Sequence, residues 1–144
     1  VLPVYTVLPT DGTVISICTN SDFDTDRDGN TLSEHRFLKF TTTGNSTYNV
    51  SVTANPVPPT TSDPAPTPPD ELRDRSDPDV FIWRDGILVA TGTSGDDDAE
   101  VFITENSLPA NEYVMSLQEF RYSDEDGASS DFPEQVCFDI SMSP

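Results

Sequence analysis

The sequence predicts an all-β chain: a single antiparallel β-sandwich, jelly-roll-like, with a long Pro-rich insertion loop. Three observations carry this. Apolar residues come in short runs bounded by Gly, Pro, Asn and Asp, and no long stretch has helical periodicity; the nearest, Asp70–Arg75, is too short. Asp85-Gly86 separates two apolar runs, Val80–Trp83 and Ile87–Ala90, and tolerates the positive φ angles of a tight hairpin turn. Ser46–Ala54 alternates, with Tyr48, Val50, Val52 and Ala54 on one face and Asn49, Ser51 and Thr53 on the other, as in a strand with one buried and one wet face. A chain of 144 residues can bury a real core, so residues 1–144 are read as one domain of about seven to nine strands.

In chain order, Val4–Leu8 is a candidate first edge strand and Thr13–Cys18 a stronger one. Arg36–Thr42 and Ser46–Ala54 follow, joined by a turn at Thr43-Gly44-Asn45. Residues 55–70 hold Pro56, Pro58, Pro59, Pro64, Pro66, Pro68 and Pro69, a density that opposes strand and helix and favours extended polyproline II. The strands before it are too few to close a domain, so it is an insertion within one sandwich, packed on its own domain or on a neighbour. After the hairpin come Ala99–Thr104 and Glu112–Phe120. Arg121–Phe132 is an acidic loop, and Val136, Phe138 and Ile140 mark the closing strand.

A net charge of −19 with one lysine and six arginines excludes the basic face that nucleic acid requires, and disfavours anionic membranes. No run approaches the ~20 apolar residues of a membrane-spanning helix. Such acidity attracts cations; adaptation to salty surroundings and specific calcium sites are the two readings. The segment Asp24-Thr25-Asp26-Arg27-Asp28-Gly29-Asn30 carries alternate acidic side chains before a glycine, a calcium-loop pattern with Asp24, Asp26 and Asp28 as side-chain ligands, Asn30 through its carbonyl and Glu34 closing the shell. It is not an EF-hand, because the twelfth position is His35 and no helices flank it. The plain alternative is a solvated acidic loop.

Cys18 and Cys137 lie near opposite ends. If their strands neighbour each other, a disulfide staples the termini, adds about 4–5 kcal/mol in the chain-entropy model, and indicates an oxidising compartment. Two buried thiols or a redox pair are the alternatives. The start at Val1-Leu2-Pro3, without Met, suits a mature or excised segment. Asn45-Ser46-Thr47 and Asn49-Val50-Ser51 match the glycosylation sequon, a motif frequent by chance.

No catalytic residue is assigned. A Ser-His-Asp triad would have to use the single histidine, His35, and there is no Gly-x-Ser-x-Gly motif. Zinc does not suit one histidine and two cysteines. Acidic pairs abound, yet nothing in the sequence positions one with a raised pKa.

The order of features from residue 34 to 142 resembles the bacterial pre-peptidase C-terminal (PPC) domain family. The matching residues are Asp77, Asp79, Val80, Phe81 and Ile82, then the acidic loop Asp96–Glu100, then Leu108-Pro109-Ala110-Asn111-Glu112-Tyr113, with Asn111 where the family usually has Gly. The resemblance implies that Val80 and Ile82 point inward and that Phe81 and Trp83 face outward, as a binding surface or under the Pro-rich insertion. Tyr113, Met115 and Leu117 alternate inward. It implies calcium, with Asp77 and Asp79 as ligands or turn formers, and a non-catalytic accessory module of a secreted protein that binds an extracellular protein or polysaccharide. The alternative is a self-assembling extracellular subunit whose partners are identical subunits, joined through the Pro-rich arm and calcium.

Overall fold

A computed structural model describes residues 5–18, 35–57, 76–94, 99–119 and 135–144. Nine strands are present among them: β1 (Thr6–Val7), β2 (Ile15–Cys18), β3 (His35–Thr42), β4 (Asn49–Val57), β5 (Pro78–Arg84), β6 (Ile87–Gly92), β7 (Ala99–Ile103), β8 (Asn111–Glu119) and β9 (Gln135–Ser143). They form a five-stranded sheet in the order β1-β3-β8-β5-β6 and a four-stranded sheet in the order β2-β9-β4-β7. The chain is thus the β-sandwich its patterning predicts.

Alternation decides which side chains enter the core. Val80, Ile82, Met115, Leu117 and Leu38 of the first sheet meet Val52, Ala54, Phe138, Ile140 and Met142 of the second, all fully buried. Phe40 and Tyr113, cross-strand partners, stack with ring centroids 5.1 Å apart, and the Tyr113 hydroxyl donates to the Pro109 carbonyl at 2.7 Å. A buried phenol so satisfied brings its apolar ring inside without leaving a polar atom unpaired.

The Asp85-Gly86 turn has φ of 51° and 76°, the two positive values of a type I′ hairpin. Past it the β5–β6 register slips between Ile82 and Trp83, leaving Val89 as a bulge. Asn111 does not use the left-handed conformation available to asparagine. It opens β8 in extended form, its Oδ1 accepting from the Glu112 N–H at 2.7 Å.

Two expectations need correction. The sandwich is not wholly antiparallel, because β1 runs parallel to β3 and Leu8 N–H donates to the Lys39 carbonyl at 2.9 Å. After β1 the chain crosses to the other sheet as β2, so β1 is free of the hairpin geometry that forces antiparallel pairing. Secondly, the strand before the Pro-rich stretch does not end at Ala54; β4 continues to Val57 and includes a buried Pro56. Thr104 N–H donates to the Tyr48 carbonyl, so even-numbered residues of β4 direct their N–H toward β7. Among the described residues β7 pairs only as far as Thr53, so the N–H that Pro56 lacks is not one the described ladder uses. The remainder of the Pro-rich insertion, from residue 58, lies outside the described residues.

Cys18 and Cys137 are direct cross-strand partners on β2 and β9 and form a disulfide across a sequence separation of 119. The staple read from the sequence is present. No helix among the described residues is long and apolar enough to cross a membrane.

Candidate functional site

The outer face of the five-stranded sheet carries a row of aromatics, and the register explains how. Phe37 on β3 lies opposite Ser116 on β8, which lies opposite Phe81 on β5. His35 and Trp83 flank this row on either side. Because the central strand places the small Ser116 between larger neighbours, the rings stand up around a shallow depression of about 340 Å³ lined by His35, Phe37, Phe81, Trp83 and Ser116. Trp83 Nε1–H reaches toward Ser116 Oγ at 3.4 Å, a long contact. The His35 and Phe37 rings run nearly parallel, 17° apart with centroids at 6.3 Å. Phe37 and Trp83 are 40% and 36% exposed, enough for a ligand to reach their faces.

Phe81 and Trp83 thus point outward as expected, while Val80 and Ile82 are fully buried. His35 and Phe37 were not singled out as binding residues by the sequence reading. A signal was available: His35, Phe37 and Lys39 alternate along β3, but which strand β3 would join is not a local property. Lys39 pairs with Glu112 at 2.8 Å one row further along.

At the other border of the aromatics lies a group of carboxylates. Asp79 sits opposite Gln118, itself opposite His35. At 9% exposure Asp79 loses most of its hydration. Burial, and then the negative charges of Asp77 and Glu100, push its carboxyl up to about 6. This is a carboxylate of raised pKa that sequence reasoning could not find, since Glu100 is distant in sequence. Two neighbours are occupied in holding loops. Glu100 Oε2 accepts from both the N–H and hydroxyl of Ser94, each at 2.7 Å, and Glu119 Oε1 accepts from the Asp77 N–H at 2.8 Å.

Of the residues expected to bind metal, Asp77 and Asp79 come together at the start of β5. Asp24, Asp26, Asp28, Asn30 and Glu34 lie outside the described residues. Among the described residues no three His, Cys, Asp or Glu side chains gather as a metal-holding group. Asp77 and Asp79 offer at most four carboxylate oxygens, fewer than the six to eight that calcium takes.

No protein-family model and no curated protein matches the chain. Among solved structures it is similar to the pre-peptidase C-terminal domain of a collagenase from Bacillus anthracis, with a TM-score of 0.53 and 8% identity over 98% of both chains. Two weaker likenesses are a β-glucosidase from Paenibacillus barengoltzii and the CBM36-1 domain of a xylanase from the hindgut metagenome of Trinervitermes trinervoides. The first has a TM-score of 0.38 and 11% identity over 94% of this chain and 11% of that one. The second has 0.40 and 8% over 89% and 95%. Of these three, the collagenase domain has a TM-score high enough to speak for the fold, which is that of a PPC domain.

Proposed function

We propose that this PPC-like sandwich is a non-catalytic accessory module of a secreted protein, binding an extracellular polysaccharide on the outer face of its five-stranded sheet. The observation that carries the reading is the set of Phe37, Phe81, Trp83 and His35 around Ser116. Flat rings on a rigid sheet offer the CH faces of a sugar a stacking surface at little entropic cost. The depression is open rather than enclosed, which suits a chain passing over it. Lys39 and Glu112, paired and exposed on the same face, supply hydroxyl partners.

Asp79, with its raised pKa, is not assigned a catalytic role. Its neighbours Glu100 and Glu119 are engaged in loop bonds. Calcium is the proposed cation. The Asp24–Glu34 spacing supports one ion, and the mutual repulsion of Asp77 and Asp79 supports a weaker contribution from that pair, which a cation would relieve. The disulfide supports an oxidising, extracellular setting.

Co-sedimentation with insoluble polysaccharides, with collagen as the protein comparator, tests the reading. Trp83→Ala and Phe81→Ala should each lower retention at least tenfold, with melting temperature within about 3 °C of the native chain, because both side chains lie outside the core. Retention on collagen alone would move the ligand to the protein class. Unchanged retention in both variants would refute the site. Melting in EDTA and in millimolar calcium tests the cation separately, and no shift would remove calcium from the proposal.

A further inference from the structure

We propose that two copies of this chain pair edge to edge through β7, antiparallel about a twofold axis at Val101, extending the four-stranded sheet into one of eight. This surface is separate from the aromatic face and does not rest on the polysaccharide reading.

β7 is an edge strand whose only ladder among the described residues is with β4. The Thr104–Tyr48 bond sets the phase of that ladder: Phe102 and Glu100 direct their backbone groups to β4. Ala99, Val101 and Ile103 therefore turn N–H and C=O to the open side. Val101 and Ile103 are also 70% and 61% exposed at the side chain. Native edge strands are ordinarily blunted by a charge, a proline or a bulge. β6, the edge strand of the facing sheet on this side, has the bulge at Val89. β7 has none of these: its one charged residue, Glu100, is buried and tied to Ser94.

Charge argues for a second copy as the occupant. A chain of net charge −19 can meet itself only through surface that carries little of that charge. The outer face of this sheet is such a surface. Beside Val101 and Ile103 it presents Ser16, Asn49, Ser51, Thr53, Ser141 and Ser143, and Asp139, its one described carboxylate, accepts from Asn55 Nδ2 at 3.0 Å. The strand is also self-complementary. With the axis at Val101, Val101 faces Val101 of the second copy and Ala99 faces Ile103, so every outward-facing backbone group finds a partner and all the exposed cross-strand pairs are apolar. The acidic residues 96–98 directly precede β7, so like charge opposes the approach and salt favours it.

A strip this short buries less than about 1,000 Å², which places it among weak, concentration-dependent contacts. Sedimentation velocity from about 10 μM to 1 mM should show a monomer–dimer equilibrium that strengthens on going from low salt to about 0.5 M NaCl. Val101→Lys, which sets like charges opposite each other, should weaken it at least tenfold. Under mild oxidation Val101→Cys should give a covalent dimer, whereas Ile103→Cys, displaced from its own copy across the axis, should not. Trp83→Ala should leave the equilibrium unchanged. A chain monomeric across the whole range would overturn the proposal, and so would Ile103→Cys cross-linking as readily as Val101→Cys. A free edge that accepts an extended peptide from another protein would give the first of these outcomes.

Discussion

Asp79 offers the sharpest test of the electrostatics, because its carboxyl is pushed up to about 6 from an ordinary value of 3.8. A carboxyl whose pKa is higher in the folded state holds its proton more tightly there than in the unfolded chain. Its contribution to stability is therefore fully present below about pH 4 and is lost as pH rises through about 6. The full linkage value of such a shift is about 3 kcal/mol, and water at the end of the sandwich reduces it, so about 1–3 kcal/mol is expected. Asp79→Asn removes the titration and keeps the shape. The variant should exceed the native chain in stability by that amount at pH 7, and the gap should close between pH 6 and 4. Urea unfolding at a series of pH values, in EDTA, measures the difference directly, and subtracting the two curves cancels the many other acids. A variant less stable than the native chain at pH 7, or a gap that does not change with pH, would show that burial and the charges of Asp77 and Glu100 do not act on this carboxyl. In calcium the sign should reverse if Asp79 takes part in holding the ion.

Two further outcomes follow from packing and covalent structure. The Cys18→Ser/Cys137→Ser double variant releases a loop closed over 119 residues and should cost about 5 kcal/mol, lowering the melting temperature by about 15 °C in calorimetry. A loss under about 1 kcal/mol would mean that the unfolded chain does not feel the constraint. Gly92→Ala would put a Cβ 2.4 Å from Phe102 Cδ1 and 2.8 Å from Glu100 Cγ, so about 1–3 kcal/mol of overpacking should appear in denaturant unfolding, against little effect of Gly44→Ala, where nothing lies within 4 Å.

Much of the sandwich was legible in residue order, because the signals for a strand are local. The period-two pattern of Tyr48, Val50, Val52 and Ala54 names the buried face without knowledge of any partner. Asp85-Gly86 places its hairpin because the required φ angles belong to those two residues alone. The outward direction of Phe81 and Trp83 came from the resemblance to the PPC pattern, and the contact of Cys18 with Cys137 was expected only if the terminal strands were neighbours. The limit of local reading is visible at Pro56, where proline density argued against a strand. Among the described residues β7 pairs with β4 only as far as Thr53, and that lies on another part of the chain.

What the sequence by itself determined is therefore composition, charge, strand periodicity and turn chemistry, each set by a residue and its near neighbours. Only the tertiary structure decided the parallel pairing of β1, the gathering of His35 and Phe37 with Phe81 and Trp83 around Ser116, and the pressure of Glu100 on Asp79. It also decided that β7 ends its sheet with its backbone groups facing outward. The physical reason is the same in each case. Side-chain direction repeats every two residues along a strand, whereas the neighbour across the ladder is chosen by packing of the whole sheet, which no local pattern encodes.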